Sequence, residues 1–420
     1  IVLKLIMSIL QKKFNISEYT QKINLFILVF LPLSLLVGSG VINTLVILFN
    51  ILFIVEIILK KETIFLKNKI FYLLIIIWLY LITNAVIGIN FENSINRSIG
   101  FIRFVILAFG INYYLSKKFN YFINFIFKFW SLLFIVVTID LIFESIMGFN
   151  IFGNVSERQG RLSSFLGEEL KIGNYYFGFV LITLSYLIYK YKKNYIPFVF
   201  SIVFIIVALL IGERSNFLKV LIITSLFLFF FQEKNYLKKF FVIFVSLTFL
   251  FTIIYSNKNY KERFWVMLLK PLVQFNLKPI ESLKMSPYGA HYDTAIKIFN
   301  DNKIFGIGLK NFRVESGNPK YRNKEFIFTD ARQTTHPHQI HFEILSETGL
   351  IGYLLFILFF FLSIFNFFKS YKIEKNIFQL SSLLFLLATI IPLLPSGSFF
   401  TTYSATIFWI NYGLLIPKSN

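Results

Sequence analysis

The stretch Phe342-Glu343-Ile344-Leu345-Ser346-Glu347-Thr348-Gly349-Leu350-Ile351-Gly352-Tyr353-Leu354-Leu355-Phe356-Ile357-Leu358-Phe359-Phe360-Phe361-Leu362-Ser363-Ile364-Phe365-Asn366 decides the fold class. From Leu350 to Phe365 it holds no Asp, Glu, Lys, Arg or His. A helix of about 20 mostly apolar residues is what crosses the hydrocarbon core of a bilayer. Working outward, similar runs lie near 24–40, 42–59, 70–89, 99–115, 124–147, 173–190, 196–211, 216–232 and 239–255, and again near 377–394 and 398–416. The first two are separated only by a tight turn at Gly38-Ser39-Gly40. The chain has 420 residues, 56% hydrophobic and 20% aromatic, with mean hydropathy +0.70. Soluble domains average about 45–50% apolar, so the excess calls for lipid as solvent. The expected fold is an all-α polytopic membrane protein with about 12 transmembrane helices in a single membrane domain, 1–420.

The formal charge is +21, from 42 Lys and Arg against 21 Asp and Glu. In a soluble protein this would suggest nucleic acid. Here most lysines cluster in short connections between apolar runs, the pattern of cytoplasmic loops. One set holds Lys60, Lys61, Lys67, Lys69, Lys117, Lys118, Lys190, Lys192, Lys193, Lys234, Lys238, Lys239, Lys369, Lys372 and Lys375, joined by the N-terminal Lys4, Lys12, Lys13 and Lys22. The short loops of the other side carry Arg97, Arg158, Arg161, Lys171 and Arg214. This bias, roughly four to one, puts both termini in the cytoplasm and the long segment 256–341 outside, between spans nine and ten. No nucleic-acid partner is expected; the bilayer is the surrounding partner. There is no cysteine, so disulfides and thiolate metal sites are excluded. The first apolar run continues directly into the second and lacks a small-residue cleavage site, so no cleavable signal peptide is expected.

The outer segment 256–341 is too long for a bare connection. Apolar positions recur at helical spacing over 262–270 and 290–300, as in Tyr292, Ala295, Ile296 and Phe299, which predicts short helices above the membrane. Its end carries the densest polar cluster, Thr334-Thr335-His336-Pro337-His338-Gln339-Ile340-His341. All four histidines of the chain lie between 291 and 341. Histidine exchanges a proton near neutral pH, and at the mouth of a membrane helix it can deprotonate a sugar hydroxyl. Two other readings stand beside this one. The cluster can be an interfacial helix start capped by Thr335 or His336, with solvated imidazoles. It can also be a zinc site, although the spacing is not the i, i+4 pair that places two ligands on one helix face.

Three further clusters share the outer side. Gly212-Glu213-Arg214-Ser215-Asn216-Phe217-Leu218 is a tight turn whose guanidinium suits phosphate oxygens, or snorkels to lipid headgroups. The run 158–171 carries Arg158 and Arg161 and reads by default as a solvated loop. Phe305-Gly306-Ile307-Gly308-Leu309-Lys310-Asn311-Phe312-Arg313 holds two turn-permitting glycines but lacks a dinucleotide fingerprint. Within the spans, Glu56, Arg103, Lys128, Asp140, Glu144 and Lys219 are ionisable; several lie near span ends, where snorkelling accounts for them.

Taken together, four stretches resemble the O-antigen ligase and O-antigen polymerase superfamily. Residues 335–339 through 347–352 resemble its histidine motif at the end of a large periplasmic loop. Gly306-Ile307-Gly308 to Phe312 resembles its Gly-x-Gly element, Arg214-Ser215 with Leu218 its arginine turn, and Arg161-Leu162-Ser163 to Glu169 and Gly173 its earlier periplasmic loop. The chain departs from the family at Gln339, where Asn is usual, and at His341, where a non-His residue is common. The resemblance implies an inverting, metal-independent glycosyltransferase without cofactor, in the bacterial inner membrane with its active site on the periplasmic side. The donor would be glycan on undecaprenyl diphosphate. The acceptor would be lipid A–core in a ligase, or another lipid-linked repeat in a polymerase. A transporter of lipid-linked sugar is the reading from another class. The resemblance makes His338 and Arg214 the expected catalytic pair. Without a metal, arginines must neutralise the developing diphosphate charge. Arg158, Arg161, Arg263 and Arg313 are the candidates, and His336, His341, Gln339 and Glu347 complete the expected binding set. Glu347 is expected to orient His338 or its helix.

Overall fold

A computed structural model describes residues 2–158, 160–167, 169–191, 195–231, 244, 248, 251–252, 254–262, 264–265, 279–372 and 375–417. Among the described residues every regular element is helical. The principal helices are α1 (Val2–Val37), α2 (Ser39–Lys60), α3 (Lys69–Ile87), α4 (Phe91–Gly100), α5 (Ile102–Lys117), α6 (Phe127–Met147), α7 (Ile172–Tyr191), α8 (Ile196–Leu210), α9 (Arg214–Phe231), α10 (Pro287–Asp301), α11 (Ile340–Tyr371), α12 (Ile377–Thr389) and α13 (Thr402–Leu415). Among the described residues seven helical stretches are long and apolar enough to cross a membrane, while α8 and α12 are apolar but shorter. This is fewer than the expected dozen. Most of 239–255, one expected span, lies outside the described residues, as do residues 263 and 266–270 of the expected helix over 262–270.

The membrane helices are apolar on both faces, so burial has to be read from packing. On α11, Leu350, Leu354, Leu358, Phe361, Phe365 and Phe368 are exposed and recur every three or four residues. Gly352, Phe356, Phe359, Phe360, Ser363 and Phe367 are buried on the opposite face. One stripe therefore meets lipid and the other meets protein. By contrast α7 is the central pillar, with every residue from Tyr175 to Ile188 buried.

Three buried acids of the bundle are partnered, as a low-dielectric interior requires of charge. Glu56 is fully buried and takes Lys60 at 2.5 Å together with the Tyr114 hydroxyl. Asp140 accepts from the Ile151 amide at 2.8 Å, and Glu144 from the Ser164 amide at 2.7 Å. Snorkelling does not describe these three acids; two of them bind the outer loop that follows α6.

Two expected boundaries move. The spans expected at 377–394 and 398–416 contract to α12 and α13, which leaves 390–401 outside any helix. Pro392 and Pro395 supply no amide hydrogen and Gly397 adds chain freedom, so the helix cannot continue. The expected span 99–115 divides at Phe101 into α4 and α5.

The outer connections meet at one end of the bundle. The Leu162 amide donates to Ile211 O at 3.1 Å, Ile89 N to Ile307 O at 3.0 Å, and Ser396 N to His338 O at 2.7 Å. The segment 287–342 has a small core of its own, in which Ala295, Ile298, Ile307, Phe312 and Tyr321 pack under Phe342. Helix α10 matches the helix expected over 290–300, and it is started by Pro287 and by the Ser286 hydroxyl accepting from Gly289 N.

Candidate active site

The site begins with a kink. Gly349 has φ +64° and interrupts α11. The carbonyls this exposes are taken by the Gly-x-Gly element, with Ile307 N donating to Ser346 O at 3.1 Å and Gly308 N to Glu347 O at 2.8 Å. Contact is so close that a Cβ on Gly306 would lie 2.4 Å from Gly349 N, and one on Gly349 2.4 Å from Ile304 O. On the other side Asn84 donates to Phe305 O at 2.6 Å, and Ser94 to Leu309 O at 2.7 Å. The Gly-x-Gly element thus wedges between α3, α4 and α11 and fixes where Lys310 and Arg313 stand.

The cleft above this wedge opens to solvent and holds about 310 Å3 of empty space, open solvent included. Arg97, Lys310 and Arg313 supply three cations to its wall, facing Thr335 and His336. Its floor is formed by Glu343 and Glu347, each 2% exposed and one helical turn apart on α11. Glu343 accepts from the Ser398 hydroxyl and from Phe399 N at 2.7 Å, while Glu347 accepts from Phe312 N at 3.3 Å. These acids orient backbone: one secures the loop after α12, the other the turn after the Gly-x-Gly element. Glu347 therefore holds the Phe312 turn rather than His338. Arg97 donates to Phe400 O and so joins α4 to the same loop. Its own position is partly buried, and burial together with Arg97 and Arg313 lowers the Lys310 amine below its usual range.

Three of the four histidines cluster beside the cleft; His336 lines it, whereas His338, expected as catalytic, and His291 stand behind it. The ring centroids of His336 and His338 are 4.1 Å apart, and those of His338 and His291 5.1 Å apart. His338 adopts φ +57°, a left-handed backbone uncommon for a side-chain-bearing residue. Its ring nitrogen lies 3.4 Å from the Thr334 hydroxyl. Burial lowers all three imidazoles: His336 to about 3, with help from the neighbouring His338, His291 to about 4, and His338 by burial alone. All three are thus neutral at pH 7. Among the described residues no three of His, Asp and Glu converge as metal ligands would.

The remaining expected residues divide. Gln339 caps α11, its side-chain oxygen accepting from His341 N at 2.7 Å and Phe342 N at 3.1 Å; the cap is neither Thr335 nor His336. His341 points away, its ring nitrogens 2.8 Å from Ile390 O and 3.2 Å from the Tyr353 hydroxyl. Arg161 is paired with Glu213 at 2.5 Å and donates to Leu170 O at 2.9 Å, tying the earlier loop to the turn before α9. Arg158 is exposed in that loop, and Arg214 starts α9; neither lines the cleft. Arg263 lies outside the described residues.

Sequence reasoning passed over Arg97, Lys310, Glu343 and Ser398. Arg97 was visible as one of the few basic residues on the outer side. The two prolines beside Gly397 marked the loop that carries Ser398. No curated protein matches the chain. The family model described as O-antigen ligase matches residues 198–357, from α8 through the kink of α11, a stretch that includes the Gly-x-Gly wedge, the histidines and both floor acids. Over this stretch the chain is similar to the O-antigen ligase family.

Proposed function

We propose that the protein is an O-antigen ligase: it moves glycan from undecaprenyl diphosphate to a hydroxyl of lipid A–core, with inversion, at the outer face of the inner membrane. The observation that carries this reading is the cleft in which Arg97, Lys310 and Arg313 face His336, with the His338 ring behind it at 4.1 Å between centroids. Three cations suit the charge that develops on a departing diphosphate. His338 is the base. His336, at about 3, holds a proton too weakly to serve. The acceptor oxygen attacks the anomeric carbon as its proton passes to His338. The bond from that carbon to the diphosphate oxygen breaks, and its electron pair leaves with the diphosphate. Arg214, next to the Glu213 that pairs with Arg161, belongs to the approach of the lipid carrier.

The test is glycan transfer in cells lacking their own O-antigen ligase, at matched membrane expression. Wild type is expected to restore long-chain lipopolysaccharide. His338→Ala and Arg97→Ala are each expected to reduce it by on the order of 100-fold, the usual effect of removing a general base or one charge-stabilising donor. Full activity in both variants overturns the site. Lengthening of lipid-linked glycan without transfer to lipid A–core assigns the protein as a polymerase instead.

A further inference from the structure

A second cavity, which opens to solvent and holds about 420 Å3 of empty space with that solvent included, shares a wall with the first. Ser398 and Phe400 of the loop after α12 line the first cleft, and Gly397 and Phe399 line the second. Among the described residues its one cation is Lys219 on α9, with 3% of its surface exposed. The ammonium has little compensation: the carbonyl of Pro395 at 3.4 Å and the ring face of Phe177 at 5.5 Å. Among the described residues no acid lines the cavity. Glu213, whose charge reaches Lys219, is already held by Arg161 and by Asn216, each at 2.5 Å. Burying an ammonium costs several kcal/mol unless it is paired, so a charge kept this way is a candidate for a ligand's counter-ion.

The rest of the wall states what else the ligand carries. The Ser396 hydroxyl is buried without a hydrogen-bond partner. Asn174, which donates to the Ser404 hydroxyl at 3.2 Å, and Asn216 bring further amide groups. Aromatic rings form the apolar side, Phe177 stacked on Phe385 at 4.6 Å and Phe399 edge-on to Phe408 at 4.9 Å. Convergent amides and hydroxyls over aromatic faces suit a pyranose ring, which presents C–H faces and an equatorial rim of hydroxyls. The number of cations sets the charge: three in the first cleft, one here.

We propose that this cavity is a subsite for one sugar residue bearing a single anionic group, a uronate carboxylate or a sugar phosphate, with Lys219 as its counter-ion. Its place beside the first cleft makes it a substrate subsite, a role that rests on the glycosyltransferase reading; the binding itself does not. The test is saturation-transfer NMR on the detergent-solubilised full chain with glucuronate, glucose 6-phosphate and, as the neutral control, glucose. At least one charged sugar is expected to bind about 10-fold more tightly than glucose, the effect of one charge-assisted hydrogen bond. Whichever binds tells carboxylate from phosphate. Lys219→Met should abolish that preference and Lys219→Arg retain it. Ser396→Ala, which leaves the cation in place, should weaken binding a few-fold and keep the preference. Arg313→Gln, in the other cleft, should leave it unchanged. A wild type without the preference, a preference surviving Lys219→Met, or one lost with Arg313→Gln overturns the proposal. Because no transfer is measured, a chain inactive in glycan transfer can still pass, and an active ligase can still fail.

Discussion

Burial holds the imidazoles of His291 and His336 at about 4 and about 3, well under the unfolded value of about 6.5. Between those limits the unfolded chain binds more protons than the folded one, so stability rises with pH. The contribution of these histidines is complete above about pH 6.5 and is lost as pH falls toward 4 and then 3. Thermal unfolding of the purified protein should therefore show Tm falling below about pH 6.5, by on the order of several degrees by pH 4.5. The double variant His291→Gln with His336→Gln should flatten that fall. An unchanged slope would mean that the two rings are solvated. His341 is the contrasting case: it resembled its neighbours in sequence, yet its ring is engaged by Ile390 O and Tyr353. Nothing in the order of residues separates an imidazole aimed at a cleft from one aimed at a neighbouring loop.

At the scale of elements, the decisive joint is the kink of α11 against the Gly-x-Gly element. The 22 residues from 350 to 371 span about 33 Å at 1.5 Å per residue, enough for the hydrocarbon core. The turns before the kink then stand above the core, where Glu343 and Glu347 meet the cleft. Gly349→Ala combines a left-handed backbone with Cβ contacts of 2.4 Å to Ile304 O and 2.5 Å to Gly306 N, both rigid main-chain atoms. It should cost about 3 kcal/mol or more and abolish folded protein on size-exclusion chromatography. Gly153→Ala has a similar φ of +83° but meets nothing within 4 Å. It should cost only about 1 kcal/mol, the backbone penalty alone. Equal effects would show that the wedge is not tight. The glycine pattern was readable in the sequence as a turn; the surface it turns against was not.

For the whole molecule, the connections that the lysine bias expects outside converge at one end of the bundle. At the opposite end Lys117 pairs with Glu62 at 2.7 Å, joining two of the lysine-rich connections. The natural chain has no cysteine, so single cysteines are unambiguous reporters. A membrane-impermeant maleimide should label Lys324→Cys on intact spheroplasts and label Lys61→Cys only after permeabilisation, both positions being exposed. The reverse pattern would invert the topology and move the cleft to the cytoplasmic face.

The sequence by itself determined the lipid solvent, most of the long spans, the helix over 290–300 and the neighbourhood of the histidines. Apolar length and helical spacing are local properties, and they are written in consecutive residues. Tertiary structure decided which cations share a cleft. The cations Arg97 of α4 and Lys310 and Arg313 of the long loop meet there with the Ser398 hydroxyl of the loop after α12, from three distant parts of the chain. Arg161, equally basic and on the same side, is neutralised by Glu213. Likewise Lys219 read as one more charge near a span end, and only packing shows it buried beside a cavity without acids. Whether a charge is spent internally or left for a ligand depends on which helices close around it, and no local pattern of residues encodes that.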